Sequence, residues 1–162
     1  MINAFRISKS RYAATAFSGE GARLSPGRFN SRGTALVYTS ESYSLAVLET
    51  IANIEEHDEL ETLSTLYVSI RCSFDPTLVR ELDRKVLPKN WDSCPCPPEV
   101  QKIGDDWVRS SASVVYRVPS VISPHEHNYL INPNHPDFPK IRIEKDEPLY
   151  LDPRFKKMLQ IG

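Results

Sequence analysis

From Thr65 to Cys72 the chain changes character at every residue: Leu66, Val68, Ile70 and Cys72 are apolar, and Thr65, Tyr67, Ser69 and Arg71 lie between them. A period of two predicts a β-strand with one face buried, and Asp75-Pro76 ends it. The clearest helical period lies upstream, where Leu45, Leu48, Ile51 and Ala52 fall on one stripe. Ser40 stands at its expected N-cap, Glu41 supplies first-turn negative charge, and the helix is expected to run to about Glu55. Pro97 and Pro98 open a second helix that carries Val100, Ile103 and Trp107 on one side. Further short strands are expected at Ala4 to Ile7, Ala35 to Thr39, Ser113 to Val118 and Ile141 to Ile143, with a terminal helical turn around Phe155 to Leu159. Strands and helices mix without regular βαβ alternation, which predicts an α+β fold over a doubly wound sheet. No repeat or low-complexity linker interrupts the chain. A single domain is therefore expected over residues 1–162, with a core of about 4–145 and a C-terminal extension of about 146–162.

Charge and composition exclude several roles. With 20 basic and 21 acidic residues the formal net charge is −1, so no broad field draws the chain onto nucleic acid or anionic lipid, and no direct nucleic-acid binding is expected. No apolar run approaches the roughly 20 residues of a membrane span, and MINAFRISKSRY lacks the apolar core of a secretory signal, so a cytoplasmic location is expected. Three cysteines cannot form a complete set of internal disulfides, which fits a reducing compartment. Cys72 reads as core. Cys94 and Cys96 lie in SCPCPP, and with His125 and His127 they would make a zinc set. The usual two-residue spacing of paired zinc cysteines is absent, so the expectation is a proline-rich surface loop and no metal.

Three stretches offer chemistry. Ser18 to Gly33, with four glycines and a proline, is expected to be a long loop, and loops of that length usually have a function. Its SPGRFNSRG places Arg28 beside a glycine and Arg32 four residues on, ahead of the strand that carries Tyr38. Guanidinium groups on such a loop suit phosphate, although two solvated arginines would read the same way. Glu49 lies about 40° from Leu45 on a helical wheel, at the border of the apolar stripe. A carboxylate there is either a structural ion pair or the wall of a site. The third stretch, RVPSVISPHEHNYLINPNHPDF, interleaves Ser120, Asn128 and Asn132 with prolines, a rigid path that either grips a polar ligand or simply makes turns.

A resemblance resolves these alternatives. GARLSPGRFNSRGTALVYTSESYSLAVLE resembles the N-terminal signature of the RES domain, in which a glycine-rich loop gives Gly-Arg-Trp-Asn, a strand ends in Tyr-Thr-Ser and a helix carries Ala-x-x-Glu. VPSVISPHEHNYLINPNHPDF is similar to the same family's Val-Pro-Ser and Asn-Tyr-Leu-Ile-Asn-Pro elements, whereas residues 55–105 match only loosely. Phe29 stands where the family often has tryptophan, which keeps an aromatic surface without the indole donor. The resemblance implies that Arg28, Glu49 and Ser120 are the arginine, glutamate and serine of the family name. It also implies a fold related to ADP-ribosyltransferases, with small antiparallel or mixed sheets flanking an NAD cleft and helices around them.

In activity, the resemblance implies a toxin that breaks the nicotinamide–ribose bond of NAD by hydrolysis or phosphorolysis, with NAD as substrate and no resident cofactor. An Xre-like antitoxin would block the cleft. Glu49 would stabilise positive charge growing at the anomeric carbon. Arg28 would hold the pyrophosphate, Tyr38 and Tyr43 would stack on nicotinamide, and Ser120 would orient the amide, the ribose or the glutamate. Arg32, Asn128 and Asn132 would complete the substrate contacts. Because nicotinamide leaves as a neutral molecule, one carboxylate suffices where ordinary glycosides need two. Transfer of ADP-ribose to a macromolecule and non-catalytic NAD binding are the alternatives of a different class.

Overall fold

A computed structural model describes residues 1–54 and 62–155. Eight strands form one mixed sheet: β1 (Ile2–Lys9), β2 (Val37–Ser40), β3 (Tyr67–Phe74), β4 (Val79–Glu81), β5 (Val115–Pro119), β6 (His127–Ile131), β7 (Arg142–Ile143) and β8 (Glu147–Pro148). The order is β4-β5-β6-β2-β1-β3-β7, with β8 also on β3, and every pairing is antiparallel except β4 with β5. Residues 147–148 thus join the sheet, and Leu149 behind them is buried.

The ladder is uneven. β1 runs along the whole of β3, from Ile2 opposite Phe74 to Lys9 opposite Tyr67, and β2 pairs β6 from Val37–Ile131 to Ser40–Asn128. Between β1 and β2 there is one register pair, Phe5 with Ser40. In place of several small sheets, one sheet is pinched into two halves that part on either side of that pair.

Among the described residues the α-helices are α1 (Glu20–Leu24), α2 (Tyr43–Ala52), α3 (Leu63–Leu66) and α4 (Pro98–Ser110). α4 forms where expected: Pro98 occupies the first turn, where its missing N–H is no loss, and Val100 and Trp107 bury against Tyr116, Val118 and Leu130 of β5 and β6. Trp107 stacks on Tyr116 with ring centroids 5.0 Å apart and donates its indole N–H to Ser113. On the opposite face of the sheet, one cluster runs across both halves, with Ala4, Ile70, Cys72 and Phe74 of β1 and β3 packing with Val37 of β2, Tyr129 of β6 and Phe17.

Several local expectations shift. The stretch Ser18 to Gly33 is not all loop: Gly19, with φ of +75°, turns the chain into α1, which an Arg23–Glu20 pair and the Gly33 N–H on the Arg23 carbonyl hold in place. The N-cap of α2 is Ser42, which accepts from the Leu45 N–H, while Ser40 completes β2 and is buried. Glu41 lies ahead of the helix beside Arg117 and His127. The buried arc of α2 is Leu45, Ala46 and Val47, with Leu48 exposed, because the sheet and the Leu63–Tyr67–Leu149 cluster approach it from adjacent sides. The helix ends at Ala52; Glu55 lies outside the described residues, as does the expected terminal turn beyond Phe155. Leu66 is exposed in α3 and Tyr67 is buried, so the alternation of β3 begins at Val68. Among the described residues no helix is long and apolar enough to cross a membrane.

Candidate active site

Where β1 and β2 part, a cleft of about 960 Å³ opens between the two half-sheets, bounded by α2, the loop after α1 and the segment that carries Cys94 and Cys96. That segment was expected at a plain surface, but both cysteines line the cleft. Glu49 enters from α2. Its Oε1 accepts from Ser120 Oγ at 3.0 Å and from Asn128 Nδ2 at 2.6 Å. Among the described residues, Oε2 has no hydrogen-bond partner.

Both donors are themselves oriented. Ser120 Oγ accepts from the Ile122 and Ser123 N–H groups, each at 3.1 Å, which leaves its proton for Glu49. Asn128 Oδ1 accepts from the hydroxyl of Ser40 at 2.8 Å. The Ser120 loop is tied to the start of α2 as well: the Glu126 carboxylate accepts from Ser123 at 2.7 Å and from Ser42 at 2.8 Å, and these bonds hold it below the usual carboxylate range. One oxygen of Glu49 is therefore fixed and the other is left to whatever enters the cleft.

Arg6 lines the same cleft from β1 and was not singled out in the sequence. Its Nη1 donates to the Tyr38 carbonyl at 2.9 Å, a backbone acceptor that the broken β1–β2 ladder leaves to a side chain. Its Nε is buried and unpartnered among the described residues. Burial lowers this guanidinium to about 10, which leaves it charged at neutral pH. A half-buried cation on a cleft wall, with an orphan donor and no carboxylate partner, is arranged for an anion. A single arginine in an otherwise ordinary strand gives little sequence signal; its position three residues after Asn3, at the pinch, is visible only in three dimensions.

The loop after α1 is organised by Asn30, which is fully buried. Its amide nitrogen donates to the carbonyls of Ala22, Ser31 and Thr34, and its Oδ1 accepts from the Gly27 N–H and the Tyr38 hydroxyl. Tyr38 also accepts from the Phe29 N–H, and burial pushes its phenol well above the ordinary value. Gly27 must lack a side chain, since a Cβ would sit 2.6 Å from the Tyr38 hydroxyl. Gly104 lets α4 come against the Phe29 carbonyl, and Asp105 accepts from Ser31. Arg28 lines the cleft, with Nη1 on the carbonyls of Trp91 (2.7 Å) and Ser93 (3.0 Å).

Of the residues expected at the site, Arg28, Tyr38, Glu49 and Asn128 line the cleft and Ser120 stands behind Glu49. Three lie elsewhere. Arg32 is exposed beyond the loop, away from the cleft. Tyr43 packs edge-on against Phe5 and exchanges hydrogen bonds with the Tyr150 backbone, so it anchors the C-terminal segment. Asn132 is buried in a turn, accepting from the Asn134 N–H. His127 pairs with Arg117, and among the described residues no group of three or more His, Cys, Asp or Glu is placed to hold a metal ion.

Comparison with known proteins covers nearly the whole chain. The RES domain family model matches residues 3–152. The chain is 34% identical over 154 residues to a protein named Toxin Res from Yersinia enterocolitica, covering 94% of this chain and 98% of that one. It is 35% identical over 144 residues to a protein named Prs ADP-ribosylating toxin from a Sphingobium species, covering 88% of each. The fold is similar to that of a chain in the crystal structure of the M. tuberculosis MbcT–MbcA toxin–antitoxin complex, with a TM-score of 0.69 at 15% identity over 99% of this chain and 89% of that one.

Proposed function

The chain belongs to the RES domain family, and from that premise we propose that it is the toxin of a toxin–antitoxin pair and acts by breaking the nicotinamide–ribose bond of NAD. The observation that carries this reading is Glu49, a carboxylate that lines a cleft of about 960 Å³ and has one oxygen held by two oriented donors, which leaves the other for a ligand. Charge at the anomeric carbon rises as the bond stretches, so a fixed anion beside it stabilises the transition state more than the bound substrate. The electron pair of the breaking C1′–N bond returns to the nicotinamide nitrogen, which leaves neutral. A water oxygen bonds to C1′ and releases its proton to solvent; with phosphate as acceptor, a phosphate oxygen takes that place. Arg6 and Arg28 both line the cleft and would supply cations for the pyrophosphate.

A second reading has its own support. The Sphingobium relative carries the name of an ADP-ribosylating toxin, so transfer of ADP-ribose to a protein acceptor is the competing outcome at the same carboxylate. Such an enzyme, working in the cytoplasm of the cell that makes it, needs restraint by a partner, which we take to be an Xre-like antitoxin covering the cleft.

The test is product analysis. Purified protein with NAD, with and without phosphate, should release nicotinamide together with ADP-ribose or its 1″-phosphate, identified by mass. Label retained on protein would favour the transferase. Glu49→Gln, which preserves shape, should fold normally and lose on the order of a hundredfold or more in rate. Undiminished nicotinamide release by a folded Glu49→Gln protein would overturn the proposal.

A further inference from the structure

Asn128, expected to touch substrate, lines the cleft, and its amide is also held within the protein at both its nitrogen and its oxygen. Its Nδ2 donates to Glu49 Oε1 at 2.6 Å and its Oδ1 accepts from Ser40 at 2.8 Å. An amide is nearly symmetric in shape, and turning it over exchanges a donor for an acceptor. Against Glu49 only the nitrogen is tolerable, because the carboxylate has nothing to donate and a carbonyl there would oppose its charge. The amide oxygen is then aimed at the buried end of β2, where Ser40 is 5% exposed and, among the described residues, supplies the donor that meets it. Ser40 is also the residue of β2 in register with Phe5, the one register pair between β1 and β2, so its position is fixed from two directions.

We infer that Ser40 is a positioning residue for Glu49, acting through Asn128: its hydroxyl holds the amide nitrogen toward the carboxylate and so fixes Oε1 while Oε2 serves the cleft. The inference rests on the proposed role of Glu49. Each bond in the run Ser40, Asn128, Glu49 points its donor toward the charge, which polarises the next one and strengthens it. Without the Ser40 hydroxyl the amide oxygen loses the donor that fixes its direction, and the amide is then free to turn away from Glu49.

Two measurements on the full chain test this, one of them independent of turnover. In NMR spectra the Asn128 side-chain amide, assigned by its loss in Asn128→Asp, should show one proton at unusually low field and protected from exchange with water. Ser40→Ala should abolish both signatures and Ser40→Thr should retain them. In assays, Ser40→Ala should lower kcat about tenfold, the effect of one lost hydrogen bond, and leave the KM for NAD within about twofold. Ser40→Thr should restore kcat, which a purely structural loss would not separate from KM. If Ser40→Ala does not fold, Ser40→Cys, close in shape but a weak donor, carries the same comparison. An Asn128 amide unchanged in a folded Ser40→Ala or Ser40→Cys protein, or kcat within twofold of wild type, overturns the relay. Glu49→Gln is run beside it: if that variant turns over NAD normally, the catalytic reading fails, and the amide spectra still decide whether Ser40 orients Asn128.

Discussion

Arg6 and Arg28 are both cleft arginines, and their surroundings separate them. Arg28 already gives Nη1 to two carbonyls, so part of its guanidinium braces the 91–93 segment. Arg6 gives one bond to the Tyr38 carbonyl and keeps a buried, unpartnered Nε. Arg6→Gln should therefore cost about 1.5–3 kcal/mol in NAD affinity, the value of hydrogen bonds to a charged group, read by calorimetry with NAD on an inactive Glu49→Gln background. Unchanged affinity would remove Arg6 from the site. The contrast also marks what single residues reveal in a sequence. Glu49 was legible because a helical wheel places a carboxylate against an apolar stripe, and Ser120 because a resemblance pointed to it. Arg6 was not legible, since its acceptor is 32 residues away. Tyr43 and Asn132 stand outside the cleft lining for a related reason: a polar group in a suggestive motif satisfies itself on backbone as readily as on a ligand.

The pivotal element is α2. Its N-terminus is capped by Ser42, and that same hydroxyl donates to Glu126 of the loop that delivers Ser120, so helix and loop are clamped at two levels. The Glu126 clamp depends on charge. Its carboxylate is held below the usual range by the Ser123 and Ser42 hydroxyls, so it contributes stability that is fully present above the unfolded glutamate value and is lost as pH falls through the folded one. The melting-temperature difference between wild type and Glu126→Gln should accordingly stay constant above about pH 5 and shrink as the solution is acidified further. A difference that does not change between pH 7 and pH 3 would show that the clamp carries no net stability. Helix existence and strand period were legible here, because periodicity reports burial on an element's own scale. The rotation of α2 and its true cap were not, because they depend on which neighbours arrive: the α3 and Leu149 side covers Val47, and Leu48 is left outside.

On the scale of the molecule, the single Phe5–Ser40 pairing decides where a ligand can enter. Two well-laddered half-sheets share one β1–β2 register pair, and the cleft opens beside it. A partner that restrains the enzyme by occupying this cleft should raise the apparent KM for NAD and leave kcat unchanged; a reduced kcat at constant KM would place the partner elsewhere. The α+β class was legible from mixed periodicities, whereas the pinch was not, since nothing in a strand's own residues records how far its neighbour follows it. The same architecture sets a schedule during synthesis. Glu49 leaves the ribosome early, but Ser120 and Asn128 follow it by 71 and 79 residues, and β6 is also the strand against which β2 must be laid. Until that last portion has emerged, the carboxylate lacks both donors and the cleft lacks one wall, so on the proposed reading a nascent or prematurely ended chain has no complete site.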